Sequence, residues 1–231
     1  MYIYAFSNIV ERVETSLCDK KSRLIKKFNR SDNFINLTLL GVQQCVKERS
    51  LPKQTSVYIA SKNGNMNTTL KVFDSIFIQK KLPMPFDFLN TVNSVKLFYV
   101  AKNFELEGKT LFVDRFESAL PQAFVDVENG KTVLLGIITE AIADLKLHRE
   151  KFRVGEMEEE IEEEIEESSR WLLLSPQIEG RKEIAKINKF KLHHSIKAKN
   201  SEKELFSFLE GDDAMLKFRG EGLSFELQKN Y

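Results

Sequence analysis

The segment Asp114-Arg115-Phe116-Glu117-Ser118 carries side chains that are well placed for chemistry, because it combines two carboxylates, a guanidinium and a hydroxyl. It follows a short apolar run at Thr110–Asp114 that is rich in strand-forming residues. It leads into Ser118–Val127, whose spacing of apolar residues predicts a helix. A turn from a strand into a helix is where α/β folds place a reactive group, since the helix N-terminus stabilises an anion there.

The residues around this turn form a predicted βαβ unit. Leu120, Phe124 and Val127 fall on one face of the helix, and Asn129-Gly130 ends it. A second apolar run follows at Thr132–Thr139. Neither strand segment alternates between polar and apolar residues, which is typical of buried parallel strands. The sequence therefore predicts an α/β fold.

The turn resembles the nucleophile elbow of β-ketoacyl synthases, in which Val-Asp precedes the nucleophile and Ser-x-Leu follows it. Val113-Asp114 and Ser118-x-Leu120 fit this pattern, but Glu117 stands where that family carries its cysteine. A carboxylate cannot replace a thiolate, because its acyl product would be an anhydride open to water. The resemblance therefore implies a degenerate elbow that has lost its nucleophile.

A second stretch, residues 82–94, supports the resemblance. Its prolines predict a stiff loop that feeds a helix. The stretch resembles the ketosynthase signature S-P-x-x-F-x-x-S-V-x-N, although Ser94 stands where Asn is usual. The matching positions are Pro85, Phe88, Thr91 and Val92. The order of the predicted helices and strands also agrees with that family.

Other segments have simpler patterns. The basic run at residues 11–31 is interpreted as a solvated loop or as a docking site for an acidic partner such as an acyl carrier protein. Helices are predicted after the cap Ser31 or Asp32, at Met66–Gln79, and at Ser201–Leu209 with a Ser201/Glu204 capping box. Further strands are predicted at Tyr2–Phe6, Val57–Ala60, Ser169–Leu174, Glu183–Leu192, Met215–Phe218 and Leu223–Leu227. The pair at 169–192 is interpreted as antiparallel, and the last two strands as a hairpin around Gly220.

The resemblance implies a thiolase-like half over residues 1–197, with a mixed, mainly parallel sheet flanked by helices. Residues 198–231 are then a C-terminal β-hairpin extension. Proteins of this family have two pseudo-symmetric halves, and the second half supplies two catalytic histidines. These 231 residues do not include that second half, and the histidines of this chain lie outside any matching motif, at His148, His193 and His194.

The function that the resemblance implies is that of a non-catalytic subunit, similar in role to a chain-length factor. It would act with a catalytic ketosynthase, or as a dimer with itself, in fatty-acid, polyketide or polyene biosynthesis. Ketosynthase dimers pair through the strand after the elbow helix, which would be Thr132–Thr139. Candidates for lining an acyl pocket are Phe86, Phe88, Phe112, Phe116 and Phe124.

Two alternatives stay open. One is a self-associating protein that binds an acyl group or a small anion at the elbow. The other is an α/β hydrolase-type enzyme that uses Asp114, Arg115 or Glu117. In every case the apolar face of the elbow helix needs cover, because a monomer seldom tolerates an exposed face of this kind. Self-association, a catalytic partner or residues 198–231 could supply it.

Composition indicates what kind of protein this is and which ligands it is expected to lack. A hydrophobic fraction of 42% with 30% charged residues is ordinary for a soluble globular protein, and a net charge of +1 gives no pull toward nucleic acid or membrane. Cys18 and Cys45 are far apart without metal-ligand spacing, which favours free thiols in the cytoplasm. The acidic block 156–167 lacks the ligand pattern of a calcium loop. We therefore expect neither a metal nor a cofactor.

Overall fold

The computed structural model describes residues 1–12, 17–47, 49–142, 166–177 and 182–229. Its strands are β1 (Tyr2–Arg12), β2 (Ser56–Ala60), β3 (Thr110–Val113), β4 (Val133–Thr139), β5 (Glu166–Ser175), β6 (Ala185–Leu192), β7 (Met215–Gly220) and β8 (Leu223–Lys229). Its helices are α1 (Leu17–Ser22), α2 (Asn33–Val46), α3 (Met66–Phe73), α4 (Pro85–Thr91), α5 (Ser94–Phe104), α6 (Phe116–Glu128) and α7 (Glu202–Glu210). A π-helical turn, Asp74–Ile78, continues α3.

The described strands form one mixed sheet in the order β3-β2-β4-β5-β1-β6-β8-β7. β2 pairs in parallel with β3 and β4, and the other neighbouring strands are antiparallel. The chain passes from β3 through α6 to β4 and crosses β2 on the way, which is the predicted βαβ unit. The α/β class, the mixed sheet and the terminal hairpin are confirmed. The expectation of a mainly parallel sheet is wrong, because only the two pairs that β2 makes are parallel among the described strands.

The expected antiparallel pairing of β5 with β6 is wrong, because β1 lies between them. β1 is 11 residues long, well beyond the predicted Tyr2–Phe6, and it pairs with β5 along its length. Its first residues, Tyr2 and Ile3, also pair with Lys186 and Ala185 of β6. β1 therefore joins the sheet of β2, β3, β4 and β5 to the three C-terminal strands, β6, β7 and β8.

The strand after the elbow helix, β4, has no free edge for pairing between subunits. It is hydrogen-bonded to β2 on one side and to β5 on the other, and Val133 to Ile138 are buried. β3 is instead the edge strand, and its residues are half-buried or exposed, so it is not the doubly covered strand that its composition suggested. β3 lies at the edge because the crossover through α6 carries the chain past β2, so that β4 takes the interior position in the sheet.

Two hydrophobic cores cover the two faces of the sheet. The side chains of β2 alternate between the two cores, with Tyr58 and Ala60 in one and Val57 and Ile59 in the other. The first core joins α6 to α7 and the C-terminal strands, and the second joins α2 and α5. Phe218 packs on Phe116 at the start of α6, so residues from 198 onward, one of the three expected sources of cover, cover that end of the helix within the same chain.

Three other expectations change. Within the basic run, Lys20 is buried and pairs with Glu167, so this residue is not part of a solvated loop. The predicted helix over 66–79 changes to the π-helical turn after Phe73, and Val72 is the one apolar side chain of this segment that is buried.

Residues 156–165 of the acidic block lie outside the described residues, while Glu166 and Glu167 belong to β5. No helix in the described ranges is long and apolar enough to cross a membrane.

Candidate functional site

The predicted elbow lies at the turn from β3 into α6. Asp114 and Arg115 are exposed. Nε of Arg115 lies 3.4 Å from Oδ2 of Asp114, and its Nη1 donates to Oε2 of Glu221 at 2.6 Å. Glu221 belongs to the turn between β7 and β8, so the guanidinium links the elbow to the C-terminal hairpin.

The hairpin also covers the elbow by packing. Phe116 is buried and meets the ring of Phe218 edge-on, with 6.1 Å between ring centroids. A Cβ atom built on Gly220 would lie 3.0 Å from Cγ and Oε1 of the Glu117 side chain. Glu117 lies in the first turn of α6, where a carboxylate interacts favourably with the helix dipole. Ser118 is half-buried beside it. The segment therefore packs against its own chain at Glu117, the position where the resemblance places a nucleophile.

The five candidate acyl-pocket residues do not all lie in one pocket. Phe112 packs in the core that contains α2 and α5, whereas Phe124 lies on the other face of the sheet and stacks on Phe190 at 4.7 Å. Phe86 and Phe88 lie on α4 with 36% and 56% of their surfaces exposed. Contact with an acyl chain stays a prediction for each of them separately.

A cleft that the sequence did not reveal opens at the carboxyl ends of β2 and β4. Its volume is about 710 Å³. Met84, Pro85 and Phe86 form an apolar wall, and Asp32, Asn33, Asn67, Thr68 and Glu140 contribute polar groups. The exposed rim includes Arg30, whose guanidinium lies 3.8 Å above the ring of Phe86, and Lys71, which pairs with Asp87 at 2.9 Å. Ligand sites in α/β folds commonly lie at this end of the strands.

Helix caps fix one side of this cleft. Asp32 caps α2, where its Oδ1 accepts from the backbone N–H of Ile35 at 2.9 Å. Its Oδ2 accepts from the Asn65 amide and, at 3.1 Å, from the Thr68 hydroxyl. Asn65 in turn caps α3. Both oxygens of Asp32 are thus occupied by protein donors.

Asn33 joins two buried glutamates on the other side. Its Nδ2 donates to Oε1 of Glu140 at 3.0 Å and to Oε1 of Glu167 at 2.6 Å. Its Oδ1 accepts from Nζ of Lys20 at 2.9 Å, and the same ammonium pairs with Glu167. Glu167 is therefore neutralised by a neighbouring cation, while Glu140 has no such direct partner among the described residues.

Glu140 and Lys96 are buried, and the pKa of each side chain is shifted. Burial raises the pKa of Glu140 to about 7, and the charges of Asp32 and Glu167 act in the same direction, whereas Asn33 and Asn67 oppose the shift. Oε2 of Glu140 has no hydrogen-bond partner among the described residues. Burial lowers the pKa of Lys96 to about 8, and its Nζ donates to the carbonyls of Asn90 and Val92. A weak signal for this site was present in the sequence, since Glu140 directly follows an apolar strand.

Neither Cys45 nor His193 supplies an elbow nucleophile or its base. Cys45 is buried in α2, and burial raises the pKa of its thiol to about 12. Nε2 of His193 shares a hydrogen bond of 2.8 Å with the Ser224 hydroxyl in the C-terminal strands. No group of three metal-ligating side chains occurs in the described parts of the chain.

No protein-family model and no curated protein matches this sequence. Solved structures with a similar fold include the ketosynthase ApeO in complex with its chain length factor ApeC from Xenorhabdus doucetiae, with a TM-score of 0.61 and 10% identity over 99% of this chain and 100% of that chain. The ishigamide ketosynthase/chain length factor matches with a TM-score of 0.63 and 11% identity over 84% of this chain and 67% of that chain. The fold of this chain is therefore thiolase-like and similar to that of chains in ketosynthase–chain length factor complexes, as the elbow resemblance predicted.

Proposed function

We propose that this chain is a non-catalytic subunit of the chain-length-factor type, acting beside a catalytic ketosynthase in fatty-acid, polyketide or polyene biosynthesis. The observation that carries the proposal is the elbow. Its strand, turn and helix are present, but Glu117 occupies the nucleophile position and lies against Gly220 of the hairpin. The fold shared with chains of ketosynthase–chain length factor complexes supports the same role.

The edge of β3 is the first surface suited to such a partner. The carbonyls of Lys109 and Val113 accept from Val57 and Ser61, at the start and just past the end of β2. Hydrogen bonding alternates along a strand, so the backbone groups of Thr110 and Phe112 point away from β2. Within the described ranges no strand pairs with this outer edge. An unpaired edge is a template for a strand of another chain.

An exposed apolar surface is the second surface suited to such a partner. It runs from the end of α3 to α5, and α5 packs directly on β2 and β3. Phe73 and Phe77 stack on each other at 5.5 Å while about half of each side chain is open to solvent. The other members of this surface are Ile76, Ile78, Leu82, Met84, Phe88, Leu89, Val92 and Phe98. An apolar surface of this extent on a soluble chain is typical of a protein interface.

An acyl carrier protein stays a predicted second partner. Lys26 and Lys27 are exposed in the basic run that suggested it. Arg23 of the same run pairs with Glu11, and Lys20 is buried, so fewer cations are available there than the sequence indicated.

Condensation by the reconstituted pair tests the proposed role. Substituting the cysteine of the ketosynthase should abolish product formation, whereas Glu117→Gln in this chain should leave the rate unchanged. Gln keeps the shape of the side chain beside Gly220 and removes only its charge. A large loss of rate with Glu117→Gln, in a pair that still assembles, would show that Glu117 takes part in the chemistry and would contradict the non-catalytic role.

A further inference from the structure

The polar end of the cleft at the ends of β2 and β4 is surrounded by ionisable groups. Glu140, Glu167, Lys20 and Lys96 are buried, and Asp32 is half-buried. Lys20 neutralises Glu167 directly, and Asp32 is satisfied by Ile35, Asn65 and Thr68. Glu140 is buried without an ion-pair partner among the described residues, which favours either a proton or a cation at its carboxylate.

The free oxygen of Glu140 is the group that a ligand would meet. The residue is 3% exposed and lines the cleft, and its Oε2 lacks a hydrogen-bond partner among the described residues. A buried carboxylate oxygen without a donor is costly unless it is protonated or paired. A ligand that brings a charged N–H donor to this oxygen removes that cost.

The wall opposite Glu140 determines what the rest of a bound ligand must look like. Met84, Pro85 and Phe86 offer apolar surface along the cleft. Arg30 and Lys71 lie at the exposed rim, where solvent screens their charges, and Lys71 is already paired with Asp87. A volume of about 710 Å³ admits a molecule of the size of a medium-length aliphatic chain.

We propose that this cleft binds an aliphatic molecule that ends in a protonated primary amine, with the ammonium group donating to Oε2 of Glu140 and the chain lying against Met84 and Phe86. This site is separate from the elbow, and its test uses the chain alone. Because the ammonium takes the place of a proton, binding is coupled to ionisation of Glu140. It should strengthen as the pH rises through about 7, the pKa of that carboxyl in the free protein.

Titration calorimetry with octylammonium, octanol and octanoate tests the assignment, because the three probes share one chain length. Octylammonium should bind about tenfold or more tightly than octanol, which is the usual effect of a hydrogen bond to a charged group. Octanoate should bind most weakly. Equal binding of all three would show that the cleft, or the exposed apolar surface, recognises only the alkyl chain, and would overturn the proposal.

Glu140→Gln is the matching variant, since the amide keeps the shape of the side chain and removes its charge. It should lose the preference for octylammonium, while Glu128→Gln, an exposed carboxylate on α6, should keep it. Proton release supplies a readout that a purely structural Glu140 would not give. At pH 6 the wild-type protein should release close to one proton for each octylammonium bound, measured in buffers of different ionisation enthalpy, and binding without release would refute the proposal.

Discussion

Glu117 lies so close to Gly220 that a methyl group at position 220 would approach its Cγ and Oε1 atoms to 3.0 Å. This contact places the C-terminal hairpin directly over the start of the elbow helix. The ion pair of Arg115 with Glu221 holds the same two segments together at 2.6 Å. The chain thus uses its own last strands to cover the start of the elbow helix.

Trp171 packs closely against a glycine of the neighbouring strand. It is fully buried and lies opposite Gly136 across the β4–β5 pair. A Cβ atom at Gly136 would come within 2.6 Å of the Trp171 ring. We expect Gly136→Ala to lower the free energy of unfolding by about 1–3 kcal/mol, as overpacking usually does. Urea unfolding measures this change.

The same substitution in a Trp171→Phe background supplies the control. The smaller ring leaves room for the new methyl group, so Gly136→Ala should cost less there than in the wild type. Equal costs in both backgrounds would mean that Trp171 is not the neighbour that forbids a side chain at position 136.

Lys20 and Glu167 form a buried ion pair between α1 and β5. Lys20→Met leaves the carboxylate of Glu167 buried without its cation, so we expect a loss of about 3–5 kcal/mol in the free energy of unfolding. Lys26→Met, at an exposed position in the same basic run, should change it by less than about 0.5 kcal/mol. If the two variants unfold at the same urea concentration, Lys20 is not buried as described.

Glu140 should make stability depend on pH. Its pKa is about 7 in the folded protein and near 4.5 ordinarily, so between these values the folded state holds the extra proton. The free energy of unfolding therefore falls as the pH rises across this window, and the total contribution of this group is about 3 kcal/mol. In Glu140→Gln this part of the fall should be absent. Urea unfolding at pH 5 and pH 7.5 gives the comparison, and identical pH dependence in both proteins would contradict the burial of an ionisable Glu140.

Phe77 belongs to the exposed apolar surface between α3 and α5. Phe77→Asp should leave the unfolding of the isolated chain within about 0.5 kcal/mol of the wild type, because half of the side chain is already in water. It should weaken association with the ketosynthase about tenfold or more, as expected when a charge enters an apolar interface. Val125→Asp, equally exposed on α6 on the other side of the sheet, is the control. Equal weakening by both variants would exclude a specific role for this surface.

Local patterns in the sequence predicted local structure well. The turn from β3 into α6, the Asp32 cap of α2 and the Ser201–Glu204 capping box are each determined by neighbouring residues, and each is present. Gly220 was also correctly placed within the terminal hairpin. These features depend on side chains a few residues apart, which a single sequence displays directly.

Features that join distant residues were missed. Lys20 looked solvated because it lies in a basic run, and its partner Glu167 is 147 positions away. The choice of β1 over β6 as the neighbour of β5 depends on pairing across the whole sheet, which apolar runs of similar composition do not distinguish. The cleft around Glu140 assembles side chains from four segments that are far apart in the sequence, residues 29–33, 67–71, 84–90 and 140. Only folding brings these groups together.

The central proposal is that this chain acts beside a catalytic ketosynthase, with the outer edge of β3 as the expected contact, and the solution mass of the co-expressed proteins tests it most directly. Thr110→Pro removes a backbone N–H that points away from β2, while Thr110→Val keeps that N–H on an equally extended residue. We predict that light scattering finds a one-to-one pair for the wild type and Thr110→Val. Thr110→Pro should stay folded by circular dichroism but fail to pair. A chain that ignores the ketosynthase, or a Thr110→Pro variant that pairs as well as Thr110→Val, would contradict the account.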